Sequence, residues 1–179
     1  MKPQVVSDEL TSPKKPSPVP SITLEQTKLF PELRYMGSKK RLLPWIHEVL
    51  DGLEFESALD PFSGSTSVAY LLKSMGKRTV TSDFLNLSST IGKALIQNNS
   101  VHLDGPAMKT LMSQPSNTHN FIEETFSGIF YTDTDLKFLD RISCNIRQLD
   151  NPNHQALAMS ALMRSCAKKQ PRGVFTISG

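Results

Sequence analysis

Between Phe55 and Asp83 two short apolar segments flank one helix-forming run, a pattern that admits few folds. Phe55 to Leu59 is short and apolar, as a buried strand is. Pro61, Ser63, Gly64 and Ser65 are turn residues. Val68, Ala69, Leu71, Leu72 and Met75 then recur at helical spacing, and Gly76 stands where a helix C′ residue is favoured. Arg78 to Ser82 reads as a second strand. A strand, a helix and a strand in this order make a βαβ crossover, which joins parallel strands. The fold class is therefore α/β.

The polar residues of this unit fall at the strand ends. Asp60 ends the first strand, and Asp83 ends the second. Asp83 stands close to the spacing of ~20 residues at which an acid accepts hydrogen bonds from a ribose. Gly64 lets the backbone approach a ligand closely, and Ser63 and Ser65 are small. The unpaired N–H groups of the following helix open into the same crevice, and ligands of open α/β sheets bind there. A nucleoside site accounts for this stretch. So does a plain βαβ unit with a Ser/Gly turn and a capping aspartate.

Met1 to Pro20 holds five prolines and almost no large apolar residues, the composition of a disordered tail. Residues 1–31 are expected to be tail and connector, with Leu24, Leu29 and Phe30 docking on the domain. Leu42, Leu43, Ile46, Val49, Leu50 and Leu53 share one helical face, with Pro44 at the helix start. The preceding Gly37-Ser38-Lys39-Lys40 is a basic loop aimed at that start, a plausible anion site. Leu85 to Gln97 reads as a helix, and a shorter one is expected near Ala107 to Met112. The aromatic-rich stretch from Phe121 to Tyr131 is expected in the core. Thr132 to Asp135 resembles a capping box, followed by a helix through Leu149. Asn151-Pro152 breaks that helix, and another starts at Asn153 or His154 and ends before Gln170-Pro171. Gly173 to Ile177 suits a strand.

No apolar run is long enough to span a bilayer, and the N-terminus lacks the apolar core of a signal peptide. Cys144 and Cys166 form no CxxC pair and read as reduced, cytoplasmic thiols. The four histidines are scattered among non-ligating neighbours, so no metal site is expected. The net charge of +3 permits nucleic-acid binding without demanding it. Two basic clusters, Arg34 with Lys39, Lys40 and Arg41, and Arg164 with Lys168, Lys169 and Arg172, suit either phosphate or solvent. Gly64-Ser65-Thr66 lacks the later glycines of G-x-G-x-x-G, which argues against a dinucleotide-dependent oxidoreductase.

Tyr35-Met36-Gly37-Ser38-Lys39, Asp60-Pro61-Phe62-Ser63-Gly64-Ser65 and Ser82-Asp83 together resemble the opening motifs of the D12, or Dam-like, class of DNA N6-adenine methyltransferases. Phe130-Tyr131-Thr132 and the segment from Lys168 to Phe175 resemble later parts of that class. The resemblance implies a doubly wound, Rossmann-like methyltransferase fold that binds S-adenosylmethionine and acts on double-stranded DNA. Tyr35, Gly37, Ser38 and Lys39 would border the methionine part of the cofactor. Asp60, Phe62, Gly64 and Ser65 would form its loop, and Asp83 would hold the ribose. Arg41, Lys168, Lys169 and Arg172 would face DNA. Residues 32–100 would be the cofactor-binding region, and 101–179 a helical region leading into a target-recognition segment.

Two departures bear on this expectation. Thr66 stands where the class often has a second glycine; a β-branched residue disfavours positive φ, so a less open loop is expected. The catalytic Asp/Asn/Ser-Pro-Pro-aromatic motif is absent, and Asn151-Pro152-Asn153-His154 is only an echo of it. In the class that motif lies downstream of the segment where this sequence stops, so the sequence reads as cut short. Adenine N6 needs a pocket that accepts its amino hydrogens and stacks on a flipped base. The expected catalytic set of this chain is therefore none. Alone it is expected to bind cofactor weakly or not at all and not to methylate DNA. A second polypeptide carrying the motif would complete an enzyme; without one, the chain would be a non-catalytic module binding DNA or a catalytic partner.

Overall fold

The predicted crossover is present in a computed structural model, which describes residues 27–31, 33, 35–115 and 119–169. The expected tail Met1–Pro20, Leu24, Arg34, Arg172 and the expected strand from Gly173 to Ile177 lie outside the described residues. Strand β1 (Ser57–Asp60) leads through helix α2 (Ser67–Ser74) to β2 (Arg78–Thr81). The strands pair in parallel, with Leu59 beside Val80 and Asp60 beside Thr81. Before β1, a 3₁₀ turn (Lys39–Leu42) runs into α1 (Leu43–Asp51). After β2 come α3 (Asn86–Gly92), continued by a π-helical turn (Lys93–Gln97), then α4 (Gly105–Met112), α5 (Phe121–Phe126), α6 (Asp133–Arg147) and α7 (Pro152–Lys169).

Local rules account for the element ends. Gly76 has φ +74°, and α2 closes with Gly76 N–H donating to Lys73 and Lys77 N–H donating to Leu72. That is the Schellman pattern expected of a C′ glycine. Thr132 and Asp135 form the predicted capping box at the start of α6. Helix α7 begins at Pro152, earlier than predicted, because Asn151 Oδ1 accepts from Asn153 N–H and proline suits the first helical position. Pro44 stands at the second position of α1 rather than the first, since Leu43 continues directly from the 3₁₀ turn.

Helix α2 and the π turn that continues α3 lie against the strand pair, and α7 packs on α3 and its π turn. Ala69, Leu71 and Leu72 of α2, with Ile91, Ala94 and Ile96, are buried there. A second cluster unites Ala107 and Leu111 of α4, Ile142 and Ile146 of α6, Leu149, and Ala158 of α7. The other face of the strands is open, with Leu59 60% and Val80 49% exposed. The expectation of a buried first strand is thus corrected: parallel sheets bury both faces only when both are covered, and among the described residues helices lie on one. The apolar face predicted for α1 is likewise half realised, with Leu43 and His47 buried but Leu42, Val49 and Leu53 about half exposed. Of the expected docking residues, Phe30 packs on the Tyr70 ring, whereas Leu29 is exposed.

The aromatic stretch is also corrected. Phe121 is 68% exposed, and α5 buries none of its residues. This helix is fixed through its backbone: the Asp140 carboxylate of α6 accepts from Ile122 N–H and Glu123 N–H at 2.9 Å each. Its aromatic residues therefore need not enter the core.

Gly92 allows α3 to approach β2. A Cβ there would stand 2.7 Å from Thr81 Oγ1, closer than packing permits. Gly92→Ala is expected to destabilise the chain by about 1–3 kcal/mol despite alanine's higher helix propensity. Urea denaturation tests this; a stability equal to or above the parent's would show that α3 and β2 separate freely.

Candidate functional site

The strand ends and two loops meet at one crevice. Beyond Asp60 the chain turns sharply: Thr66 N–H donates to Ser63 O at 2.6 Å, and Gly64 has φ +47°. Gly64 N–H donates to Asp83 Oδ2 at 2.8 Å, tying the glycine turn to the end of β2. The basic loop reaches the same point. Gly37, at φ +79°, completes a turn in which Ser38 N–H donates to Tyr35 O, and Ser38 Oγ lies 3.1 Å from Ser65 Oγ. A Cβ on Gly64 would meet the Tyr35 ring at 3.1 Å, so the ring packs directly on the turn. Tyr35, Gly37, Ser38, Gly64, Ser65 and Asp83 are thereby brought together. Lys39 lies on the adjoining 3₁₀ turn and is exposed.

Thr66 corrects the sequence expectation. It takes φ +60° and ψ +13° and is fully buried, so the turn closes in the left-handed conformation despite the β-branch. Such a residue costs of order 1–3 kcal/mol and persists only where its surroundings impose it. Here the Ser63–Thr66 hydrogen bond and the start of α2 do so.

The two acids differ in character. N–H donors from Leu85 and Gly64 hold the Asp83 carboxyl below the usual carboxylate range. Asp83 is thus a charged acceptor at neutral pH, with lone pairs left over. Burial pushes Asp60 up, against the lowering effect of the Ala69 N–H. Asp60 Oδ2 is buried without a partner, an acceptor that a donor on a ligand would satisfy. Phe62 and Phe84 follow these acids and are 88% and 98% exposed. A ligand with a donor-rich sugar and flat or apolar parts fits this set. Phe84 was not foreseen as a site residue; its place directly after the predicted ribose acid was the available signal.

The proposed phosphate-facing residues do not form one cluster with the crevice. Arg41 is exposed beside it on the 3₁₀ turn. Lys168 and Lys169 end α7, and Lys169 is paired with Asp135 of the capping box while lying 6.0 Å from the Tyr131 ring centre. Asn151-Pro152-Asn153-His154 starts a helix, so its asparagine is committed to capping. Among the described residues, no group of three metal-ligating side chains occurs and no helix is long and apolar enough to cross a membrane.

The sequence model of the family described as D12 class N6 adenine-specific DNA methyltransferase matches residues 35–176. The chain belongs to this family. The D12-class match begins at the Tyr35 turn and takes in both strand ends and all the described helices that follow. The chain is also similar to the type II methyltransferase M2.HphI of Haemophilus parahaemolyticus, with 32% identity over 149 residues. That alignment covers 83% of this chain and 44% of the relative, so the chain spans less than half the length of the curated protein it matches. No solved structure matches the chain.

Proposed function

We propose that this D12-class chain supplies the cofactor-binding part of a site-specific methyltransferase acting on adenine N6 in double-stranded DNA. The observation that carries the reading is the bond between Gly64 N–H and Asp83 Oδ2, which sets a close-approach turn beside a charged acceptor at the strand ends. The proposed cofactor is S-adenosylmethionine, which supplies an electrophilic methyl group when bound. Asp83 accepts from the ribose hydroxyls through its remaining lone pairs. The Gly64 turn permits close backbone approach, and Tyr35, Gly37, Ser38 and Lys39 border the methionine end. Asp60 offers its unpartnered oxygen, and Phe62 lies beside it. Arg41, Lys168, Lys169 and, outside the described residues, Arg172 are the proposed DNA contacts. The strand pair is proposed as part of a doubly wound sheet.

No two prolines adjoin in the sequence, and the Pro-Pro-aromatic element to which the D12-class resemblance assigns the flipped adenine is not among these residues. We propose a second polypeptide region as its source. The purified chain is expected to incorporate no label into DNA from tritiated S-adenosylmethionine, and incorporation is expected once that region is added. Turnover by the purified chain would overturn the division of roles. A chain that stays inactive with every D12-class complement, yet binds DNA, would favour a non-catalytic module.

A further inference from the structure

The two opening motifs of this chain are joined by hydroxyl groups. Ser38 Oγ lies 3.1 Å from Ser65 Oγ, and Ser65 Oγ donates to Ser67 Oγ at 3.2 Å. A hydroxyl has one proton and two acceptor lone pairs. Ser65 has given its proton to Ser67, so it accepts from Ser38. Ser38 Oγ in turn accepts from Lys40 N–H at 3.4 Å. The result is a directed relay: Lys40 N–H to Ser38, Ser38 to Ser65, Ser65 to Ser67. It runs from the 3₁₀ turn that carries Lys39, Lys40 and Arg41 to the first residue of α2.

Burial fixes what this relay is for. Ser65 is 4% and Ser67 3% exposed, and both hydroxyls are already engaged within the relay. Beside them, Thr66 is held in a conformation its side chain disfavours. The turn needs restraint, and the basic loop supplies it at Ser65 while the Tyr35 ring presses on Gly64. We infer that Ser38 and Ser65 are positioning residues forming a latch that sets the glycine turn and the basic loop in register for S-adenosylmethionine. This rests on the cofactor reading above and assigns Ser65 a different role from the direct contact that the family resemblance implied.

The latch is tested with the full chain and the variants Ser38→Ala, Ser65→Ala, the double variant and Ser38→Thr. Hydrogen–deuterium exchange at residues 63–67 reads the latch without any ligand. Each single alanine variant is expected to raise exchange there about five-fold, the scale of one net hydrogen bond. The double variant is expected to fall short of the sum of the two single ones, because the Ser38–Ser65 bond is lost in both while each also loses one bond of its own. Ser38→Thr, which keeps the hydroxyl at an extended backbone position, is expected to restore protection. Titration with S-adenosylmethionine, with the proposed second polypeptide region present, is expected to show the same pattern in affinity, with the thermal midpoint lowered by only a few degrees. Unaltered exchange in Ser38→Ala, or effects of the two alanines that add, would overturn the latch. Binding by the parent chain with no loss in Ser38→Ala would overturn its role in cofactor placement. Failure of the parent chain to bind even with the second polypeptide region present counts against the cofactor reading, leaving exchange to decide the latch itself.

Discussion

With the proposed second polypeptide region present, Asp83→Ala is expected to weaken S-adenosylmethionine binding by about 100-fold, from the loss of two charge-assisted hydrogen bonds to the ribose. The same substitution frees Gly64 N–H and Leu85 N–H, which both donate to this carboxylate. Exchange at Gly64 is therefore expected to rise even without cofactor. Asp83→Asn is expected to recover little. Its amide keeps one acceptor oxygen, and its NH₂ group faces an N–H donor at one of the two sites Asp83 now serves. The sign of the pH dependence follows from the depressed carboxyl. Its contribution is fully present above the usual aspartate range near pH ~4 and is lost as pH falls through the lower, folded-state value. Cofactor affinity is thus expected to be flat from neutral pH down to mild acid as far as Asp83 is concerned. Calorimetric titration of parent and variants decides: equal affinities for the parent and Asp83→Ala would remove Asp83 from the ribose role.

What the sequence made legible is what local chemistry dictates. The strand ends at Asp60 and near Asp83 follow from apolar spacing and turn residues, and the Gly76 and Thr132 caps follow from rules with a clear stereochemical cause. The joining of Tyr35, Ser38, Gly64 and Asp83 was anticipated because the motifs came in the order seen in a known class. The corrections arise where tertiary context decides. Thr66 was read from its intrinsic preference, but the turn and helix around it impose φ +60°. Leu59 and Phe121 were read from hydrophobicity, yet burial depends on a neighbour being present, and among the described residues none covers them.

Long-range polar bonds were the least legible. Lys73 looks like an ordinary solvent-facing residue of an amphipathic helix. Its ammonium instead donates to Leu95 O at 2.8 Å, Ile96 O at 2.9 Å and Asn98 O at 2.6 Å, closing the carbonyl end of the π turn. No pattern within α2 announces partners more than twenty positions away. These bonds hold the π turn that continues α3 against the C-terminal end of α2.

The helical half depends on one such side chain. Asn145 of α6 is fully buried, and its Nδ2 donates to Leu111 O and Ser113 O at 2.9 Å each. These carbonyls belong to the C-terminal turn of α4 and the residue after it, where intrahelical donors have run out. Asn145→Ala is expected to cost about 2–3 kcal/mol, because it opens a small cavity and leaves the buried Leu111 O unpaired, whereas Ser113 is an exposed residue whose carbonyl water can reach. Asn145→Asp separates the causes, since it keeps the shape but turns the donor group into an acceptor. At neutral pH it sets a carboxylate against two carbonyls, and the expected loss equals or exceeds that of alanine. Its folded-state pKa is raised by burial and by those oxygens. The penalty is therefore full at neutral pH and shrinks as pH falls, because the protonated acid again donates one hydrogen bond. Urea denaturation of the three proteins at neutral and mildly acidic pH reads both effects. An aspartate variant as stable as the parent at neutral pH would mean that packing volume, not donation, joins α4 to α6.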